Sequence, residues 1–157
     1  MFANHGQSSR YAHKFEGINS RMDGIQAAVL NIKLPHLARW SSERYKNAQL
    51  YVKYLKHLEK IILPEIPQEG SHVFHLFVVR LKNRNEIMAK LEAQGVPTVI
   101  HYPTALPNLE AYKYLGCQAN DFPIATAFQD EILSLPMYPE LSESEIKYIA
   151  EILSECA

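Results

Sequence analysis

The sequence predicts an α+β fold: a small three-stranded, mainly antiparallel sheet packed with helices, preceded by long linking helices. Three observations carry this expectation. Apolar residues recur at helical spacing from Met22 to Leu58, with a break at Pro35. Short runs rich in branched and aromatic residues, Val73 to Val79 and Thr98 to Tyr102, read as strands, and Ile132 to Leu135 as a third. Ser142, with Glu145 three residues on, opens a final amphipathic helix. Residues 1–62 are expected to form an N-terminal arm and linking helices, and residues 63–157 the small α+β domain.

Each element has a local reason. The first sixteen residues show no sustained period and read as an arm or loop. Ser20 is the expected N-cap of the first helix, with Asp23 in its first turn and Met22, Ile25, Val29 and Ile32 on one face. Pro35 removes a helix N–H and clashes with the preceding turn, so two helices are expected rather than one. The second places Leu37, Trp40, Ala48, Tyr51, Leu55 and Leu58 on one stripe, with Arg44, Lys46, Lys53, Lys56 and Lys60 mostly on a solvated face. Prolines and a glycine from Leu63 to Gly70 make a connector.

Val73 to Val79 carries no polar residue but His75, which predicts a strand covered on both faces. Asn83 with Glu86 reads as a capping box for a short helix with Ile87 and Leu91 inward and Gly95 as its stop. Pro103 to Asn120 is irregular, with one helical turn around Leu109 to Tyr114. Phe122-Pro123 starts another short helix, and the last one buries Ile146, Ile149, Ile152 and Leu153.

Composition excludes several classes of function. A chain of 157 residues that is 47% apolar can bury the core of one globular domain. With 16 basic and 17 acidic residues and no long block of one sign, it has no nucleic-acid or membrane footprint. Cys117 and Cys156 show neither metal nor redox spacing, which fits a reducing, cytoplasmic setting. No apolar run suggests a leader or a membrane span.

Local chemistry offers two candidates. Asn19 and Arg21 stand just ahead of a helix start, where unpaired N–H groups and the positive end of the helix dipole favour an anion such as phosphate. The plainer reading is a capped amphipathic helix with a solvated arginine. His101-Tyr102 lies at the end of a strand, before Pro103 turns the chain out of the sheet. His72 and His75 invite a metal reading, but on a strand residues three apart face opposite ways and further ligands are missing, so a structural role is expected and no metal. There is no Gly-x-Ser-x-Gly elbow, Walker loop or dinucleotide fingerprint.

The string Gly17-Ile18-Asn19-Ser20-Arg21-Met22-Asp23-Gly24-Ile25-Gln26-Ala27-Ala28 resembles a segment of the DegT/DnrJ/EryC1 family of pyridoxal-phosphate-dependent sugar aminotransferases. Asn4 to Gln7, Lys33-Leu34 with Trp40 and Arg44, His72 to Arg80, Ile100 to Pro103 and Leu133 to Leu141 keep the family's order, so the resemblance spans nearly the whole chain. It implies the small C-terminal domain of a fold-type-I aminotransferase, whose full-length members pass an amino group from glutamate to a keto-sugar nucleotide in aminosugar or cell-surface polysaccharide synthesis. By motif match, Asn19 would contact the cofactor phosphate of the other subunit of a homodimer, and Arg21 the nucleotide-sugar. His101 and Tyr102 would border the same substrate pocket. The resemblance assigns the Schiff-base lysine to a large domain upstream of Met1. None of Lys14, Lys33, Lys46 or Lys53 has a matching context, so no catalytic residue is assigned and this chain alone is expected to be inactive. The competing reading is a non-catalytic dimerisation or interaction module left after loss of the cofactor domain.

Overall fold

The computed structural model describes residues 1–67 and 72–156, which fall into two compact units, Met1–Ala38 and Arg39–Ala157. Gln68, Glu69 and Gly70 of the expected connector lie outside the described residues.

In the first unit the arm has structure that the sequence did not announce. A hairpin joins β1 (Gln7–Ser9) to β2 (Ala12–His13), antiparallel, with Tyr11 at positive φ. Two strands this short cannot display a period of two. Helix α1 runs Gly24–Lys33, and its N-cap is Asp23, not Ser20. The Asp23 carboxylate accepts the Gln26 N–H at 2.9 Å, and the Gln26 side chain accepts the Asp23 N–H at 3.2 Å, a complete capping box. Ser20 is occupied elsewhere, its N–H donating to Ala3 O. Pro35 sits in a 3-10 turn, Leu34–His36, and α2 (Leu37–Leu55) follows, so the expected interruption is present.

The second unit is built on a sheet of order β3 (Ile61–Ile62), β4 (Phe77–Leu81), β5 (Ile132–Leu135), antiparallel throughout. This is the α+β architecture expected, assembled from partly different strands. The two-residue β3 was not foreseen, and β4 starts at Phe77 rather than Val73 because Phe74 takes a positive φ of 43° that ends any strand before it. Along β4, Phe77, Val79 and Leu81 are buried while Val78 and Arg80 are only half-buried, so one face carries the core instead of two. Thr98 to Tyr102 is not a strand: Val99 exchanges both backbone hydrogen bonds with Ser134, and pairing ends at that bridge.

Ala48, Tyr51 and Leu55 of α2 pack with Phe77, Val79, Leu133 and Leu135 from the sheet and with Leu91, Ile146 and Leu153 from α3 (Arg84–Ala93) and α5 (Glu143–Cys156). Tyr51 stacks on Phe77 at 4.8 Å and donates its hydroxyl to Pro136 O at 2.8 Å, while Asn47 Nδ2 donates to Tyr138 O. Each such large apolar side chain contributes about 1.5–3 kcal/mol through burial. The latter part of α2 therefore belongs to this core.

Helix α3 departs from expectation at its start. Asn83 is left-handed, with φ 56°, and makes no side-chain cap; Glu86 pairs instead with Lys90 at 3.0 Å. Its stop is as expected, Gly95 at φ +74°. Residues 103–121 hold three 3-10 turns, Leu106–Asn108, Glu110–Leu115 and Ala119–Asp121, in place of one helical turn. Helix α4 (Pro123–Glu131) runs straight into β5, and α5 carries the Ser142–Glu145 capping box and buries Ile146, Ile149, Ile152 and Leu153. No described helix is long and apolar enough to cross a membrane.

Candidate functional site

The sequence-predicted residues form two pairs, one in each compact unit. Asn19 is fixed by backbone bonds on both sides: His5 N–H donates to Ile18 O, and Ser20 N–H to Ala3 O, each at 2.9 Å, which sets Asn19 opposite Asn4 in an antiparallel bridge. Two glycines allow this crossing. A Cβ on Gly17 would lie 2.3 Å from Gly6 N, and one on Gly6 would lie 1.8 Å from Phe15 O. The Asn19 side chain then accepts the Nε–H of Arg21 at 3.2 Å, so the structure joins the two residues. Both are exposed.

The electrostatics differ from the sequence expectation in one respect. The N-terminus of α1 is not an open anion seat, because the Asp23 carboxylate already occupies it. What is left for an anion is the Arg21 guanidinium, whose Nη groups lie beyond its Asn19 bond, together with the Asn19 amide. Arg21, Met22, Ile25, Val29 and Leu30 line an open cleft of about 570 Å³ along α1. No residue of α1 is buried; Ile25 is 80% and Ile32 71% exposed.

In the second unit His101 is half-buried, its Nδ1 2.9 Å from Ser134 Oγ. Ser134 is buried, and the backbone bridge to Val99 holds it in place. Tyr102 projects outward, 71% exposed, its ring edge-on to His101, and the peptide between the two is cis. Beyond it, Tyr102, Pro103, Leu106, Phe128, Gln129 and Ile132 border a largely apolar pocket of about 690 Å³.

Three residues of this corner escaped the sequence reading. Ser134 is the lone polar residue of β5, flanked by Leu133 and Leu135, and that isolation was a readable signal. Gln129 and Arg84, which fasten the corner from α4 and α3, gave none. His72 and His75 precede β4 instead of lying on it, so the alternation argument does not apply to them. His72 Nδ1 accepts the Phe74 N–H at 2.9 Å and its ring lies 4.1 Å from Phe74, a local structural contact.

The profile of the DegT/DnrJ/EryC1/StrS aminotransferase family matches residues 1–154. The erythromycin biosynthesis sensory transduction protein EryC1 of Saccharopolyspora erythraea is 39% identical over 98% of this chain and 42% of its own length. A dTDP-3-amino-3,4,6-trideoxy-α-D-glucose transaminase of Streptomyces venezuelae is 36% identical over the whole chain and 41% of its own length. The crystal structure of S. venezuelae DesV superposes with a TM-score of 0.90 at 35% identity, covering 99% of this chain and 42% of DesV. The chain thus spans about two-fifths of the relatives it matches.

Proposed function

The chain belongs to the DegT/DnrJ/EryC1/StrS aminotransferase family, and from that membership we propose that it is the C-terminal part of a pyridoxal-phosphate-dependent nucleotide-sugar aminotransferase. In this reading a cytoplasmic homodimer moves an amino group from glutamate to a keto-sugar nucleotide. The observation that carries the proposal is the pairing of Asn19 with Arg21 in a chain whose whole length aligns with 41% of a dTDP-sugar transaminase.

The residues present suit one edge of the cofactor. Asn19 and Arg21 offer an amide and a guanidinium, donors of the kind a phosphate group takes up. A Schiff base needs a lysine that gives up its proton, and none of Lys14, Lys33, Lys46 and Lys53 is assigned that role. The carboxylate of Glu143 and the Tyr54 hydroxyl hold the Lys53 ammonium above its ordinary range, and Lys53 is exposed. Lys14, Lys33 and Lys46 are exposed. When bound, pyridoxal phosphate supplies the electron sink for amino transfer. This chain's part is to bind and orient: Asn19 at the cofactor phosphate, Arg21 at the phosphates of the sugar nucleotide, and His101 and Tyr102 along the substrate pocket, with Ser134 holding the His101 ring.

The test is a graft in which these 157 residues replace the matching segment of the S. venezuelae transaminase. The grafted enzyme is expected to retain pyridoxal phosphate and transaminate its dTDP-sugar, while the isolated chain does neither. A folded, cofactor-loaded graft without transaminase activity would refute the proposal.

A further inference from the structure

The chain after Tyr102 turns through prolines and a 3-10 turn, Leu106–Asn108. One side chain of α4 bonds to it at two points. Gln129 Oε1, on α4, accepts the backbone N–H of Ala105 at 2.9 Å and Asn108 Nδ2 at 3.3 Å. One turn earlier on the same helix, Thr126 Oγ1 takes the second Asn108 contact at 3.3 Å.

The helix end that carries Gln129 is itself pinned. Arg84, only 6% exposed, donates from Nη1 to Ile132 O and from Nη2 to Gln129 O, both at 3.1 Å. The Gln129 carbonyl lies in the last turn of α4 and the Ile132 carbonyl just past it, at the first residue of β5; the helix dipole is negative at this end and backbone acceptors lack helical partners, so a buried guanidinium is stabilised there without a carboxylate. Arg80 braces the same turn, donating to Glu131 at 2.8 Å and lying 3.7 Å above the Phe128 ring. The backbone that carries Gln129 is thereby fastened beside the turn.

We propose that Gln129 is a positioning residue for Tyr102 and the substrate-facing turn behind it, acting through Ala105 and Asn108, with Arg84 fixing Gln129. The proposal rests on the reading that His101 and Tyr102 border the substrate pocket. Only the acceptor oxygen of Gln129 is used, so Gln129→Glu preserves the tether and Gln129→Leu removes it.

The experiment is amide hydrogen exchange and chemical-shift titration on the 15N-labelled protein. In Gln129→Leu the Ala105 amide is expected to exchange about ten-fold faster, the effect of losing one hydrogen bond, while Val79 and Leu133 stay at wild-type rates. In Gln129→Glu, Ala105 stays protected and its amide shift titrates with the new carboxylate. That titration is a signature of direct contact and decides the matter even if the leucine variant fails to fold. Unchanged exchange in Gln129→Leu, or an Ala105 shift indifferent to the new carboxylate, overturns the tether. No substrate enters either measurement. The site reading is tested apart, by Tyr102→Ala in the grafted transaminase. If the tether behaves as expected but Tyr102→Ala leaves the Michaelis constant for the dTDP-sugar unchanged, the substrate-facing role of this turn is overturned and the tether alone stands.

Discussion

Gly17→Ala is expected to open the segment that presents Asn19 and Arg21 while leaving the second unit intact. The added Cβ would lie 2.3 Å from Gly6 N and 2.6 Å from Phe2 O, against 3.4 Å for an ordinary contact, so the backbones must part by about 1 Å. Both clashing atoms are already engaged: Gly6 N–H donates to Met1 O, and Phe2 O accepts from Ile18 N–H. Overpacking costs about 1–3 kcal/mol, and the two hydrogen bonds that must lengthen contribute about 0.5–1.5 kcal/mol each. A local loss of about 2–6 kcal/mol follows, more than a segment this small can absorb. Amide exchange at Ile18 and Ser20 reads it directly: both should lose protection, with Val79 unaffected. Gly24→Ala is the control, since nothing lies within 4 Å of its Cβ and alanine favours the helix. Wild-type protection at Ile18 and Ser20 in Gly17→Ala would refute the steric reasoning.

Other consequences are open to measurement. Ser142→Ala should destabilise the protein by about 1 kcal/mol through loss of the α5 cap, read by urea denaturation, and should raise the Glu145 pKa toward its ordinary value. In the folded protein Glu145, bonded to Ser142, and Glu143, bonded to Tyr54 and Lys53, are both held below the ordinary carboxylate range. Their contribution to stability is therefore present above that range and lost as pH falls through the lowered values. Lys53 runs the opposite way, its contribution present below the ordinary lysine value and lost as pH rises through the raised one. Stability measured against pH in Glu143→Gln should lose the Glu143 part of the acid dependence and weaken the Lys53 one, while the Glu145 part, set by Ser142, remains. Tyr51→Phe should cost about 1 kcal/mol, because burial leaves the Pro136 carbonyl without its hydroxyl donor, and should abolish a tyrosine that burial keeps protonated well into alkali. Borohydride reduction of this chain with pyridoxal phosphate should give scattered lysine labelling; one stoichiometric adduct on a single lysine would contradict the assignment of the Schiff base elsewhere.

The sequence made the long-period features legible and the short ones opaque. Ile146, Ile149, Ile152 and Leu153 recur over enough turns to declare α5 and its buried face, and Pro35 declared the break between α1 and α2. The strand β3 has two residues, too few for any period, and Thr98 to Tyr102 has strand composition but only Val99 finds a partner. Asp23 outcompeted Ser20 as a cap because Gln26, not a residue at Asp23, completes the reciprocal bond. At the candidate site, the string from Gly17 to Ala28 singled out Asn19 and Arg21 as expectations, and their bond is local; the backbone crossing beside it joins Gly6 to Gly17, 11 residues apart in sequence, which no local pattern announces. Gln129 could not be read because its partners, Ala105 and Asn108, lie more than 20 residues away, joined only in the fold.

The central claim is that Asn19 and Arg21 meet different phosphates, and the grafted transaminase tests it through paired variants at fixed ionic strength. Arg21→Ala should lower kcat/KM for the dTDP-sugar by about ten-fold to over a hundred-fold, the effect of about 1.5–3 kcal/mol from a charge-assisted contact, with the melting temperature little changed because the side chain is exposed. Asn19→Ala should first speed dissociation of pyridoxal phosphate. If Arg21→Ala unfolds the enzyme while its sugar kinetics before unfolding are unchanged, Arg21 is part of a helix entry and the site assignment fails.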